Sequence, residues 1–519
     1  MAEEEIESIM EQLHQLEVDD SQPREDRVAL LRRLNSVQAK TRTLATEILS
    51  YIFQFTCPYI QLDREERGHN PQRWYSFRFC PLTLGHVSHH WRQVAWSTPE
   101  LWSALSLHIY MRTRPESTTG LLNLYFTNVS NYPISLDLDL PPTDNAKRVC
   151  AAAAGSVLFK PENSQKIKFF QITNVPLDWN PSFSNFSRLT HLSMDGQSSL
   201  HEKSGNLDLS DVHTLTRISL RRVNPKIQLP WASITIIELD SVTMDVCGEL
   251  LTRCTNLVRF RSSTLQRVRY GWRPDDIISS SNDKLVYRHL EELKWSHISD
   301  AHFLTLFNRM EVPALRHLDW GNAGVLYTAD GRTDPESFPH IEAFFSQLPI
   351  SLISVKFHHL YVWPISTLQY VLPRISGTQE LSLQYCHQDT IRSFLKVLNM
   401  PGMYYLPSLR SLIINDCYEF SLARNNETNP YFKHHDEDLI IEFLKQRFER
   451  GMAPQFRLEL LNVNSDWEIP LKDALRGYVK KGMSLELIID GKKIDWEQKD
   501  DISRWRKTDK EMFYSRSWD

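Results

Sequence analysis

Glycine is scarce, at 17 residues in 519. Few loops can therefore close tightly on a phosphate, and no dinucleotide-binding glycine fingerprint, P-loop or G-x-S-x-G elbow occurs. Cysteine is scarce too: Cys57, Cys80, Cys150, Cys247, Cys254, Cys386 and Cys417 are scattered and odd in number, which excludes a disulfide framework and fits the cytosol or nucleus. No apolar run reaches the length of a membrane span; the longest, Cys150–Phe159, is too short and contains Gly and Ser. The opening MAEEEIESIM is acidic and lacks an apolar centre, so it reads as neither signal nor transit peptide. There is no basic excess either. A net charge of −5 argues against a nucleic-acid binder that works by neutralising phosphates.

Metal and catalytic constellations are equally thin. His89-His90, His358-His359 and His434-His435 are adjacent pairs, and adjacent side chains diverge on a helix or strand, so they chelate poorly. His434-His435-Asp436-Glu437-Asp438 reads as a helix start with acids in its first turn. Cys247 and Cys254 are too far apart for a zinc knuckle and are assigned to cores. Trp295 and Trp320 are assigned to the core as well. The expectation is no catalytic, cofactor or metal site, no cofactor, and no enzymatic activity.

What is present is ordinary globular material. Hydrophobic residues make up 41% and charged residues 24%, and 519 residues suffice for two or three domains. Residues 1–42 predict a helical hairpin: Ile6, Ile9, Met10, Leu13 and Leu16 form one stripe and Val28, Leu31, Leu34 and Val37 another, parted by Asp19–Pro23. Fewer than three heptads favours a local hairpin over a coiled-coil dimeriser. Residues 43–107 predict short packed helices. Leu44, Ile48, Leu49, Ile52 and Phe53 make an apolar stripe, and Leu84, Val87, Trp91 and Val94 make a second. Thr98-Pro99-Glu100 has the chemistry of a helix start, followed by Leu101 and Trp102 as anchors. Between them, residues 56–81 turn from aromatic to highly charged and read as an exposed insertion.

These two blocks resemble the halves of an F-box, most closely that of mushroom-forming (basidiomycete) fungi. The family runs roughly LPxEIL-x-x-IF, a variable loop, then V-x-x-x-WR-x-I/V-A-x-x-TPxLW. This chain has Leu44-Ala45-Thr46-Glu47-Ile48-Leu49 and Ile52-Phe53, then Val87, Trp91-Arg92, Val94-Ala95 and Thr98-Pro99-Glu100-Leu101-Trp102. Ala45 stands where the family prefers Pro; Ala preserves the helix, and adaptor affinity is what the change puts in question. The resemblance implies docking of a Skp-family adaptor, and through it a cullin. It nominates Leu44, Ile48, Leu49, Ile52, Trp91 and Val94 as docking or module-forming residues, which the sequence cannot apportion.

From residue 108 to 490 short alternating segments recur. They begin at Ile134, Ile167, Leu189, Leu215, Ile234, Leu257, Leu290, Leu315, Leu352, Thr378, Leu409, Phe456 and Leu485. Many fit L-x-x-L-x-L-x-x-N/C and so resemble the leucine-rich repeat. Apolar helical stretches fall between several of them, at Met244–Arg253, Ala301–Met310 and Asp436–Gln446. The predicted fold class is α/β: an N-terminal helical F-box, then an irregular leucine-rich-repeat-like solenoid. A mixed-charge tail, 491–519, carries Trp496, Trp505, Phe513 and Trp518 as possible docking points.

In such a strand positions 1, 4 and 6 face the core, and positions 3, 5 and 7 face outward. Arg217 and Arg221, Glu238 and Asp240, Arg259 and Arg261, then Glu292 and Lys294 would form outward bands of alternating charge. Such bands could recognise a substrate of complementary charge order, or simply pair with one another, and the second reading is favoured. The function implied is substrate recognition in an SCF-type ubiquitin ligase, with an unidentified protein substrate and transfer done by partner subunits. The alternative is a leucine-rich-repeat binding scaffold with no ubiquitin role.

Overall fold

The computed structural model describes residues 2–18, 24–38, 41, 44–56, 80–109, 114–140, 145–196, 206–263, 284–297, 305–322, 338–360, 363–415, 436–452, 455–461 and 468–497. The chain divides into two compact units, Met1–Ile234 and Thr235–Asp519. The division falls inside the repeat region, so the helical N-terminus and the first five long strands share one unit.

The first unit opens with helices α1 (Ala2–Val18) and α2 (Arg24–Gln38). Ile9 and Leu13 of α1 are buried, and Arg33 pairs with Glu5 at 3.0 Å. Next come α3 (Thr46–Thr56), α4 (Cys80–Val87), α5 (His89–Trp96) and a 3₁₀ turn, Pro99–Trp102. The inserted stretch 57–79 lies outside the described residues.

The unit then alternates strand and helix: β1 (Ala104–His108), α6 (Pro115–Asn128), β2 (Ile134–Asp139), α7 (Asn145–Leu158), α8 (Pro161–Ser164), β3 (Ile167–Thr173), β4 (His191–Asp195), β5 (Asn206–Asp208), β6 (Arg217–Arg221) and β7 (Lys226–Gln228). β1, β2, β3, β4 and β6 pair in parallel in that order, while β5 and β7 make a small second ladder. The period-2 pattern explains the sheet. In β6, Ile218 and Leu220 are buried while Arg217, Ser219 and Arg221 are not.

The second unit continues the scheme with β8 (Ile236–Asp240), α9 (Met244–Arg253), β9 (Arg259–Ser263), β10 (Leu285–Val286), β11 (Glu292–His297), β12 (Met310–Glu311), β13 (His317–Asn322), α10 (Phe338–Ser346), β14 (Ser354–His358), α11 (Ile365–Arg374), β15 (Glu380–Gln384), α12 (Gln388–Leu398), β16 (Ser411–Asn415), α13 (Asp436–Glu449), β17 (Gln455–Leu461), α14 (Glu468–Lys480), β18 (Ser484–Ile489) and β19 (Lys492–Lys493). Long strands from β8 to β18 pair in parallel with their chain neighbours, and β19 closes the edge antiparallel. Each repeat buries its apolar face against the next, the logic of an α/β repeat solenoid. Trp295 and Trp320 sit in a continuous aromatic core: Phe307 lies 4.6 Å from the first and 5.4 Å from the second, and Phe344 follows 5.1 Å from Trp320. Cys247 and Cys254 are fully buried, and burial pushes the Cys254 thiol up to about 12.

All thirteen expected strands are present. The residue after many of them donates its N–H to the last carbonyl of the next strand, as Asn174 does to Asp195, His359 to Gln384 and Tyr385 to Asn415. Asn174, Ser241, His359 and Tyr385 make this exit in left-handed backbone, with φ between 50 and 59°. Two expectations are corrected. Residues 301–310 do not form a helix where they are described; only a 3₁₀ turn, Phe307–Arg309, precedes β12. A short helix of the 3₁₀ type, Pro99–Trp102, starts where expected, with Pro99 at its first position and Glu100 in its first turn, but Thr98 makes no side-chain cap. Its hydroxyl instead donates to the Val94 carbonyl at 2.7 Å and meets Ser50 Oγ at 2.9 Å. In the tail, Trp496 donates its indole N–H to the Leu485 carbonyl at 3.1 Å; Trp505, Phe513 and Trp518 lie outside the described residues.

Candidate functional site

The helical module is held from inside by few residues. Leu49 and Phe53 are the buried face of α3, and Val94 and Ala95 the buried face of α5. Ser88 starts α5 by accepting from the Trp91 N–H at 3.1 Å. The Trp91 ring packs 4.8 Å from Phe53, and its indole donates to Thr41 Oγ1 at 3.0 Å. Gly85 is required by close approach, because a Cβ there would sit 2.3 Å from the Trp96 ring. Trp102, fully buried, donates to the Ala95 carbonyl at 2.9 Å and stacks edge-on with Trp96 and with Tyr125, each at 5.0 Å.

Burial apportions the six nominated residues. Leu49 and Val94 are 1% exposed and hold the module together; they cannot touch a partner without unfolding it. Leu44 and Trp91 are half-buried. Ile48 and Ile52 are exposed, at 52% and 41%. Tyr51 and Phe55, which the F-box resemblance did not nominate, join them at 59% and 73% exposure. Positions 48, 51, 52 and 55 follow i, i+3, i+4, i+7, so these four side chains form one stripe on the face of α3 away from Leu49 and Phe53. The Tyr51 and Phe55 rings meet edge-on at 4.8 Å. The signal was in the sequence: TEILSYIFQFT carries more apolar residues than one buried stripe requires.

The nominated charged residues lie on the half-exposed face of their strands, opposite the core. In register across the second unit, Glu238 faces Arg261, Lys294 and Asp319 on successive strands, and Arg259 faces Glu292. They pair among themselves. Arg261 contacts Glu292 at 2.6 Å and Glu238 at 4.0 Å, Arg259 contacts Glu292 at 2.8 Å, and Lys294 reaches Asp319 at 3.7 Å. The Ser241 hydroxyl bonds Asp240 at 3.1 Å. In the first unit Asp195 gathers Arg222 at 2.8 Å and Arg221 at 3.8 Å, and Arg217 stands beside His191 in register.

One further constellation has no local motif to announce it. Ser296, Asp319 and His358 come from three successive strands, β11, β13 and β14. His358 Nδ1 lies 2.5 Å from Asp319 Oδ1, and its Nε2 bonds Ser296 Oγ. Burial raises the Asp319 carboxyl, but the hydrogen bond from His358 and the charges of Lys356 and Lys294 hold it below its usual range. Separations of 23 and 39 residues hide such a set from any short sequence pattern. Among the described residues no group of three or more His, Cys, Asp and Glu could hold a metal, and no helix is long and apolar enough to cross a membrane.

Comparisons add little. No protein-family model matches the chain, and no curated protein matches it. A solved complex of Rad7 and Elc1 from yeast aligns over 84% of this chain and 93% of that one, at 12% identity and a TM-score of 0.30.

Proposed function

We propose that the chain is the substrate-recognition subunit of an SCF-type ubiquitin ligase, with the helical module docking a Skp-family adaptor and, through it, a cullin. The observation that carries this reading is the outward stripe Ile48, Tyr51, Ile52 and Phe55, on a helix whose other face is already buried. A small module rarely exposes four large apolar side chains in one row, and such a patch marks an interaction site. The two sequence blocks that resemble an F-box fall on this same module, one on α3 itself and the other on α5 and the turn after it. The repeat strands supply a broad polar face for a protein substrate. The chain itself performs no ubiquitin transfer, takes no cofactor and works in the cytoplasm or nucleus; neither nucleic acid nor membrane is its partner.

The test is capture of a Skp-family adaptor and a cullin by the tagged full-length chain, beside an Ile48→Ala/Ile52→Ala variant. Wild type retains both and the variant loses them. A folded wild type that captures no adaptor at micromolar concentration overturns the reading and leaves a repeat scaffold without a ubiquitin role.

A further inference from the structure

The outward face of the second unit ends in a rung made of Ser296, Gly321 and His358, in parallel register on β11, β13 and β14. The His358 ring lies across Gly321 to reach Ser296. A Cβ at Gly321 would sit 2.3 Å from its Cδ2 and Nε2, so this rung tolerates no side chain in its middle strand. Asp319 occupies the rung below and takes the other ring nitrogen at 2.5 Å. An ionised carboxylate only accepts, so it fixes the ring proton on Nδ1 and leaves Nε2 to accept from the Ser296 hydroxyl. Lys294 and Lys356, 3.7 and 3.8 Å from Asp319, favour that ionised form.

A second feature adjoins this rung. His359 and Tyr385 stack at 5.2 Å and 16°, and the His359 ring meets His358 edge-on at 5.7 Å. Both residues sit in left-handed backbone, φ 50 and 55°, which bulky side chains rarely adopt. The same left-handed exit follows other strands of the sheet, as at Asn174 and Ser241, so it belongs to the repeat and fixes where the two rings stand. Tyr385 is 41% exposed and presents a flat wall.

We propose that Ser296 and His358 are a nucleophile and its base, positioned by Asp319, and that they take up acyl groups from small aryl esters that stack on Tyr385. Ser296 Oγ bonds the carbonyl carbon as its proton passes to His358 Nε2. The bond to the leaving aryl oxygen breaks, and that oxygen takes the proton away. Water then attacks the acyl carbon with the same base; the bond to Oγ breaks, Oγ recovers the proton and a carboxylic acid leaves. Geometry rather than sequence order identifies such a set. The proposal concerns the second unit alone and stands or falls independently of adaptor docking.

The experiment treats the full-length chain with an aryl fluorophosphonate and maps the adduct by peptide mass spectrometry. The expected result is one adduct, at Ser296, with fluoride lost, and none in Ser296→Ala. Asp319→Asn should label at least about 100-fold more slowly, while Asp319→Glu keeps part of the rate. That split separates positioning from packing, because Asn matches Asp in shape and Glu does not. Ser296 is buried, so reach is what the probe measures. A folded wild type that gives no adduct at Ser296 overturns the proposal, and so does equal labelling of wild type and Asp319→Asn.

Discussion

Helix α3 leaves four large apolar side chains facing outward, whereas the outward face of the second unit carries charges already matched to one another. The two surfaces differ in what they keep in reserve for a partner. Covering the α3 stripe removes apolar area from water and gains roughly 25 cal/mol per Å². Covering the sheet face strips water from ion pairs that gain nothing new, so such contacts select a partner more than they hold it. Affinity should therefore reside in the helix and discrimination in the sheet.

The largest effect separates scaffold from face. Leu49→Ala removes the buried side of α3, and Trp102→Ala removes the fully buried ring that ties the turn to α5. Each should cost about 2–5 kcal/mol of folding stability, read from the denaturant midpoint. If either variant is as stable as wild type but loses adaptor, the division between inner and outer faces is wrong.

Next comes the outer face itself. Ile52→Ala and Phe55→Ala should each weaken adaptor binding, the stronger of them by about 2–4 kcal/mol, with melting unchanged. Calorimetric titration together with a thermal scan checks both halves of that statement. A variant that melts early would move its residue to the scaffold.

Much of this contrast is legible in the residue pattern alone. The L-x-x-L-x-L core located thirteen strands because alternation forces one face inward whatever the neighbours do. The same alternation placed Arg217, Arg221, Arg259 and Arg261 outward. Residues 305–310 differ from the expected helix because short apolar stretches look alike in a helix and in a core-filling turn, and here Leu306, Phe307 and Met310 fill the core directly; residues 301–304 lie outside the described residues. Thr98 misled because its hydroxyl had two uses, capping forward or bonding back, and only the packing of α3 against the turn decides. On α3 the sequence offered more apolar residues than one face could bury, yet it did not say which face lay inside. The Ser296–His358 contact depends on parallel register across three strands, which no linear spacing encodes.

A smaller effect sits just past the end of β14. Burial first, and the nearby Lys356 charge with it, lower the His359 ring to about 4. The unfolded chain takes up this proton near the ordinary value of 6.5, whereas the folded chain does not until about 4. The native state is therefore favoured in full above that upper value and loses ground as pH falls between the two. The ring is partly exposed, so the loss should be only about 1 kcal/mol. Denaturant titrations at about pH 7.5 and about pH 5 should show wild type losing more than His359→Asn; equal losses would reassign the acid sensitivity elsewhere.

The smallest effect bears most directly on the contrast. Arg259 and Glu292 face each other across β9 and β11 at 2.8 Å, and both are partly open to water. Arg261 shares the same carboxylate, so removing Arg259 leaves Glu292 still paired. A double-mutant cycle on Arg259→Ala and Glu292→Ala should return a coupling of about 0.2–1 kcal/mol, and less in high salt. Charge reversal at Arg217, Arg221, Arg259 and Arg261 would then leave the chain folded, and proximity labelling would report whether its partners change. If the partner list is unchanged, these charges serve only each other. A changed list with a coupling this small would mean that the sheet selects its substrate by excluding mismatched charge, not by holding on to matched charge.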